Sequence, residues 1–323
     1  MKQHLFEAQY EADWDALDRA LQARPRALDT QQLPRLYRNV CQHLALARQR
    51  QYSPSLQDRL NHLVLRGHQA LYGARVGQRG ALIYFLLHGF PRTVRQQWRL
   101  VLAAGLLMFG PIIGLTLLVW QRPELALSFI HSDQLNNMVQ MYDPGAKHWG
   151  RPRGSSTDLA MFGFYVSHNI GIDFQCFGGG LLFGIGTIVF ILATSISSGV
   201  VGGYLTAIGY GKTFWPFVVG HSSFELIAAV LSGAAGLRVG LAILSPGRYT
   251  RAESLRRHAQ TAFTLVGGAA LMTFCAAFFE AFWSSRIDIP PHIKYTVGAF
   301  LWASVISWLA LGGRWGKGRV DAA

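Results

Sequence analysis

The chain has 323 residues, of which 50% are hydrophobic and only 15% are charged, and its formal net charge is +13. The apolar residues are concentrated in 98–313, whereas 1–97 has the composition of a soluble helical region, so two parts of different class share the chain. Lys and Arg collect on the cytoplasmic side of membrane proteins, and this bias explains most of the positive charge. A nucleic-acid partner is therefore not expected. The three cysteines (Cys41, Cys176, Cys275) are far apart and lack CxxC spacing, which excludes a disulfide framework.

The first region, 1–97, carries the pattern of amphipathic helices. Trp14, Leu17 and Leu21 recur at helical spacing and would share one face. Similar apolar stripes follow, and prolines stand near the predicted helix starts. The pattern predicts three or four helices packed together on the cytoplasmic side of a membrane.

A short apolar run, ALIYFLLHGF, lies within 80–97 and is followed by Arg92, Arg95 and Arg99. It is too short to cross a hydrocarbon core of about 30 Å. We expect a helix that lies along the inner membrane interface, with its arginines near lipid phosphates. A buried helix in the core of the soluble part is the alternative.

The second region, 98–313, contains stretches that are predicted to cross a membrane. In chain order these six predicted spans are about 98–120, 158–173, 177–197, 214–244, 259–283 and 295–313. The fourth is long enough to be bent or broken near Gly233 and Gly236. The fold class is therefore all-α: a polytopic helical membrane protein with an N-terminal amphipathic helical region.

Basic residues set the predicted orientation, because Lys and Arg collect in cytoplasmic loops. Arginines precede the first span, fill the loop 245–257 and recur in the basic tail 314–323. Both termini are therefore expected in the cytoplasm. The loop 121–158, in which acidic and basic residues balance, is expected outside, where it is a candidate surface for partner proteins.

Polar side chains within the predicted spans are the candidate functional residues. They are His168, Asn169 and Asp173 in the second span, His221 and Glu225 in the fourth, and Glu280 in the fifth. An ionisable residue at bilayer depth costs at least about 2.5–3.5 kcal/mol, so it normally faces a protein interior or a wet cavity. The spacing of His221 and Glu225 places both on one helix face. A span that begins at Phe214 would carry Glu225 about 16 Å along the helix, near mid-membrane.

Three interpretations of these side chains stay open. They form a network that fixes helix register, they line a path for protons, ions or small solutes, or His221 and Glu225 bind a metal. The order His-x-x-x-Glu is not HExxH, and no second histidine lies nearby. The neighbouring Ser222 and Ser223 lack a nucleophile elbow. We therefore predict no catalytic residue, no metal and no cofactor.

Glycines in GxxxG patterns are predicted to let helices approach at backbone distance, within one protomer or between protomers. These helix-packing glycines are Gly180, Gly184, Gly186, Gly199, Gly203 and Gly236. GxxxG spacing does not distinguish these two cases; a homo-oligomer is expected, with a dimer preferred.

Three segments follow one another in a recognisable order. They are FYVSHNIGIDFQCFGGGLLFGIGTIVF at 164–190, HSSFELIAAVLSGAAGLRVG at 221–240 and CAAFFEAFW at 275–283. Together they resemble the stage II sporulation protein M family over roughly 80–310. The residues that fit the family pattern are Asn169, Gly184, Gly186, Thr187, His221, Glu225, Ala234, Gly236 and Glu280. Two positions depart from it, because His168 and Ser198 stand where the family has asparagine.

The resemblance implies a component of peptidoglycan-remodelling machinery in the bacterial cytoplasmic (inner) membrane. It implies a peptidoglycan hydrolase or a MoxR-type ATPase system as partners, in addition to the lipid bilayer. Sporulation is not carried over, because many relatives occur in bacteria that do not form spores. The favoured function is a homo-oligomeric membrane scaffold without catalysis. The alternative is a transporter or channel with a polar path through His221, Glu225 and Glu280, and an intramembrane enzyme ranks third.

Overall fold

The fold is all-α, as the sequence predicts. The computed structural model describes residues 1–22, 32–72, 78–145 and 158–314, and it contains no strand within those ranges. The chain separates into two compact units, Met1–Gly80 and Ala81–Ala323. The predicted basic tail lies almost wholly outside the described residues.

The first unit is built from three helices, α1 (Gln3–Gln22), α2 (Gln32–Gln49) and α3 (Pro54–Tyr72). The apolar stripes predicted from the sequence form its core, which buries Trp14 and Leu17 completely. The other buried core residues are Phe6, Leu33, Val40, Leu44, Ala47, Tyr52, Leu56, Leu60 and Leu63. Burial of these apolar side chains holds the helices together.

One buried hydrogen bond crosses this core. The indole Nε1 of Trp14 donates to Nδ1 of His43 at 3.1 Å. Burial lowers the pKa of His43 below its usual value, although the nearby carboxylate of Asp13 acts in the opposite direction. The imidazole is therefore held in its neutral form.

The second unit contains six long helices and several short ones. In chain order they are α4 (Gln78–Tyr84), α5 (Phe90–Gln96), α6 (Trp98–Gln121), α7 (Ala126–Phe129), α8 (Ser132–Met141), α9 (Asp158–Gly178), α10 (Ile185–Ala207), α11 (Gly211–Val218), α12 (Ser222–Leu244), α13 (Arg251–Phe279) and α14 (Pro291–Leu311). Five helices are long and apolar enough to cross a membrane: α6, α10, α12, α13 with the turn that follows it, and α14. Helix α9 has 21 residues, but its polar side chains keep it out of that group.

The packing directions nevertheless give α9 the course of a sixth crossing. Helices α6 and α10 run parallel, because Gly199 lies against Ile112 and, one turn further along both helices, Gly203 lies against Thr116. Since α9 joins α10 through a tight turn and lies against it, it must run antiparallel to both. The six predicted spans therefore correspond to six alternating long helices.

Alternation gives the bundle two distinct faces. One face carries the ends of α6, α10 and α13 and the beginnings of α9, α12 and α14; we call it the loop face, because α7 and α8 pack there. The hydroxyl of Thr213 in α11 also donates to the carbonyl of Tyr142 at 2.6 Å on this side. The opposite face, where α14 ends at Leu311, is called the tail face. The assignment of the loop face to the cell exterior stays a prediction.

Two predicted span boundaries are wrong. The third helix begins at Ile185 rather than Phe177, because α9 continues to Gly178 and the turn places Phe183 and Gly184 at φ values of 55° and 84°. The fourth predicted span is two helices, α11 and α12, separated at 219–221 rather than bent near Gly233 and Gly236. Those two glycines sit inside a regular helix, where their lack of a side chain lets neighbouring helices approach.

The segment predicted at the inner interface, 80–97, packs with the second unit. The ring of Phe90 is fully buried, contacts Gly268 of α13 and lies 5.5 Å from the ring of Trp308 in α14. The guanidinium of Arg95 donates to the carbonyl of Leu309 at 3.0 Å. The contacts therefore do not support the alternative of a core helix of the soluble part, whereas an interfacial position stays a prediction.

Glycines form the closest contacts between the long helices, on the tail-face side of the bundle. A Cβ at Gly180 would overlap the carbonyl of Gly236, and a Cβ at Gly236 would overlap the Thr187 hydroxyl. A Cβ at Gly240 would lie 2.5 Å from Cα of Gly184. The backbone of α12 touches the turn between α9 and α10 directly, so no larger residue fits at Gly180, Gly236 or Gly240 without moving that turn away from α12.

The remaining predicted packing glycines behave in the same way. A Cβ at Gly186 would lie 2.7 Å from the Gly179 carbonyl oxygen. A Cβ at Gly199 or Gly203 would lie under 3 Å from backbone carbonyl oxygens of α6. In contrast, a Cβ added at Gly110 or Gly114, a GxxxG pair on α6, would meet nothing within 4 Å among the described residues of other elements. A GxxxG spacing alone therefore does not identify which glycines are packed.

We expect Gly236→Ala to destabilise the bundle by about 1–3 kcal/mol, the usual cost of overpacking. The matched control is Gly171→Ala on α9, where an added Cβ meets nothing within 4 Å. Unfolding by heat or SDS, followed by helical circular dichroism, measures the difference. Equal unfolding midpoints for the two variants would show that the close contact at Gly236 does not contribute to the stability of the bundle.

We also expect the first unit to lose stability in acid. The lowered pKa of His43 means that the unfolded chain takes up a proton first, so stability is full above about pH 6.5 and falls as the pH drops below it. Hydrogen exchange of α1 and α2 in the whole protein, corrected for intrinsic rates, measures this loss. His43→Gln keeps an acceptor for Trp14 but does not titrate, and it should flatten the pH dependence. An unchanged slope would contradict the role of His43.

Candidate functional site

Four of the six predicted polar residues meet at one point near the loop face. The amide Nδ2 of Asn169 donates to Oε2 of Glu280 at 3.2 Å, and Nε2 of His221 lies 3.7 Å from Oε2 of Glu225. The imidazole nitrogen and the two carboxylate oxygens all lie within 4.8 Å of one another. The cluster therefore joins α9, α12 and the end of α13.

The break between α11 and α12 positions two of these side chains. His221 is the residue before the first turn of α12, and Glu225 lies in that turn. A carboxylate is favoured there because the N-terminus of a helix carries partial positive charge. The prediction that one helix carries Glu225 from a start at Phe214 is wrong, since α12 begins at Ser222, whereas the depth of Glu225 in a bilayer stays a prediction.

A π-helical turn, Glu280–Ser284, positions the side chain of Glu280, the third residue of the cluster. An i→i+5 turn adds a residue to the helical repeat and so redirects the side chains that follow. The same turn directs the Ser284 hydroxyl to Nδ1 of His221 at 3.1 Å. One irregular turn thus supplies both Glu280 and the residue that orients the histidine.

The cluster opens into a cavity of about 300 Å³ that extends toward α6, α8 and α10. The side chain of Glu225 is 30% exposed, whereas that of His221 is buried. The polar lining of the cavity consists of Thr116, Ser197, Ser198, His221, Ser222, Glu225 and Glu280. The cluster therefore lies in a partly open cavity whose lining is both polar and apolar.

The other two predicted residues lie elsewhere. Asp173 is buried and accepts a hydrogen bond from the hydroxyl of Thr273 in α13, further toward the tail face. His168 is exposed and stacks on Phe164 with ring centroids 5.4 Å apart. The six residues therefore do not form one cluster.

Sequence reasoning missed the residues that support the site. Lys294 is completely buried, and its Nζ donates to the carbonyls of Ser284 and Arg286 at 2.7 and 2.6 Å. The indole of Trp302 donates to the Ser222 hydroxyl at 3.2 Å. A lysine next to the predicted sixth span is a usable signal, although that span, 295–313, begins one residue after it.

Comparison with known protein families agrees with the predicted resemblance. The family model for stage II sporulation protein M matches residues 100–285, which is more than half of the chain and contains all four clustered residues. The chain belongs to the stage II sporulation protein M family. A model described as a domain of unknown function (DUF8413) matches residues 4–73, within the first unit. Searches of curated proteins and of solved structures found no match.

This member of the stage II sporulation protein M family is a multi-pass membrane protein, because the family match and the long apolar helices agree. The family is not a known enzyme family. Its match ends at residue 285, so Ser284 lies inside it, whereas Lys294 and α14 lie beyond it. The lysine that caps the π-helical turn therefore lies outside the matched segment.

We expect Lys294→Met to loosen the π-helical turn. Loss of the ammonium group leaves the buried carbonyl of Ser284 and the partly buried carbonyl of Arg286 without this donor, at a cost of about 1–3 kcal/mol. Hydrogen exchange at residues 280–286 and the heat-unfolding midpoint measure the change. Lys212→Met is the matched control, because Lys212 is exposed on α11. The same result for both variants would contradict the capping role of Lys294.

Proposed function

We propose that this protein is an integral membrane scaffold that holds partner proteins of the envelope-remodelling machinery together. It would act in the bacterial inner membrane with both termini in the cytoplasm. The observation that carries the proposal is the closed packing of the bundle between the polar pocket and the tail face. A scaffold requires a rigid bundle, whereas a transporter requires a path that reaches both faces.

The closed packing comes from the glycine crossings. Gly180 and Gly236 touch backbone to backbone, as do Gly184 and Gly240. Gly180 and Gly184 lie in the turn between α9 and α10, and Gly236 and Gly240 lie in the second half of α12, between the polar cluster and the tail face. A solute entering the pocket from the loop face would therefore meet main chain in direct contact, which disfavours the alternative of a polar path through the bundle.

Hydrogen bonds between helices add to this rigidity. Asn169 and Asp173 tie α9 to α13 through Glu280 and Thr273. The Ser222–Trp302 bond ties α12 to α14. Each such bond contributes only about 0.6 kcal/mol on average in a membrane, but together they fix the register of the helices. A fixed register presents constant surfaces to partners.

Two parts of the chain are suited to bind partners. Helix α8 lies on the loop face with Asn136, Asn137 and Gln140 exposed, and the first unit is a separate helical domain. Family membership favours a peptidoglycan hydrolase or a MoxR-type ATPase system as partners. A homo-oligomer, with a dimer preferred, is part of the proposal.

Transport is tested in liposomes. We expect purified protein reconstituted with pH- or potassium-sensitive dyes to leak no faster than protein-free liposomes, and Glu225→Gln to behave in the same way. The physical reason is that the glycine crossings separate the pocket from the tail face. A flux in the unmodified protein that Glu225→Gln abolishes would overturn the scaffold proposal in favour of a transporter.

Recruitment is tested in cells. A photocrosslinking residue at position 140 on α8 should capture the peptidoglycan hydrolase, whereas the same residue at 249, exposed on the tail-face side, should not. Deleting the gene should release that hydrolase from the membrane fraction. If neither crosslink nor release is seen for a hydrolase or a MoxR-type system, recruitment of these partners is wrong.

A further inference from the structure

We propose that His221, Glu225 and Glu280 bind one divalent transition-metal ion of the zinc class at the loop face of the bundle. This inference goes beyond the scaffold function and does not depend on it. The three residues come from two elements far apart in the chain, the start of α12 and the π-helical turn after α13. The fold therefore assembles the donor set.

The donor types decide the class of ion. One imidazole nitrogen and two carboxylate oxygens form a mixed nitrogen and oxygen set, which suits Zn²⁺ and related first-row ions. Ca²⁺ and Mg²⁺ prefer sites made of oxygen ligands alone. The histidine therefore favours a transition ion over the alkaline-earth ions.

The distances between donor atoms fit ligands of a shared ion better than a direct contact. Nε2 of His221 and Oε2 of Glu225 are 3.7 Å apart, beyond the usual range for a hydrogen bond. Two ligands bound tetrahedrally at about 2.0–2.1 Å are separated by about 3.4 Å. All three donor atoms lie within 4.8 Å of one another, so a contraction of at most about 1.4 Å brings the widest pair into that geometry.

Neighbouring groups orient two of the proposed ligands. Ser284 Oγ lies 3.1 Å from Nδ1 of His221; when Nδ1 donates this bond, the lone pair of Nε2 points toward Glu225. Asn169 Nδ2 donates to Oε2 of Glu280 at 3.2 Å and restrains that carboxylate. Such outer contacts fix the tautomer and the ring orientation of metal-binding histidines.

Space for a further ligand is present. All three residues line the cavity of about 300 Å³, which is large enough for several water molecules. Zinc sites with three protein ligands keep a fourth position for water or for a ligand of another molecule. The cavity thus makes this an open site rather than a closed structural one.

The test uses the whole protein in nanodiscs, stripped with a chelator and then titrated with Zn²⁺. We expect one Zn²⁺ per chain by elemental analysis, together with a rise in the unfolding midpoint. Glu280→Gln and Glu225→Gln should each weaken binding at least 100-fold. Ser284→Ala, which removes an outer contact, should weaken it by about 10–100-fold.

Asp173→Asn is the matched control, because Asp173 is another buried carboxylate in the same bundle but lies outside the donor set. It should bind Zn²⁺ within about threefold of the unmodified protein, and Mg²⁺ should not compete at millimolar concentration. Helical circular dichroism and gel filtration establish that each variant is folded. If Glu280→Gln does not fold, the comparison uses Glu225→Gln in its place.

Two outcomes overturn the proposal: less than one-tenth of a Zn²⁺ per chain in the unmodified protein, or equal binding by Glu225→Gln, Glu280→Gln and Asp173→Asn. Neither outcome bears on the scaffold function, which is tested by flux and recruitment. Conversely, a liposome flux that overturns the scaffold leaves the metal measurement unaffected.

Discussion

Direct backbone contact between α12 and the turn that joins α9 to α10 is the constraint on which the rest of the second unit depends. Water is absent from the hydrocarbon region, so helices there associate through close packing and hydrogen bonds rather than through the hydrophobic effect. The pairs Gly180–Gly236 and Gly184–Gly240 allow the closest approach in this part of the bundle. Nearer the loop face, Asn169 on the same helix α9 donates to Glu280.

Two departures from regular helix create the pocket at the other end of the same bundle. The break before Ser222 and the π-helical turn at Glu280–Ser284 face each other through the His221–Ser284 contact. Irregular backbone at membrane depth is tolerated where it is buried in protein or lines a cavity. Lys294 supports this arrangement by donating to two carbonyls at the end of the turn.

The candidate site was only partly predictable. Asn169, His221, Glu225 and Glu280 stand out in sequence because each is a polar residue in an apolar setting. Nothing in the local pattern separates them from Asp173 or His168. The fold places Asp173 against Thr273 and leaves His168 exposed. Ser284 and Trp302 carry no sequence signal, because serine and tryptophan are ordinary residues near the end of a membrane helix.

The sequence by itself determined the all-α class, the long helices and the family, because hydrophobic length and the order of motifs are properties of the chain alone. It did not determine where the fourth span breaks, since both Gly220-His221 and the glycines near 233–236 are local sequences at which a helix can end. Tertiary structure decided that point. Gly233 and Gly236 are needed inside a regular helix for close packing, whereas the break before Ser222 is held by contacts from Ser284 and Trp302, which are distant in sequence.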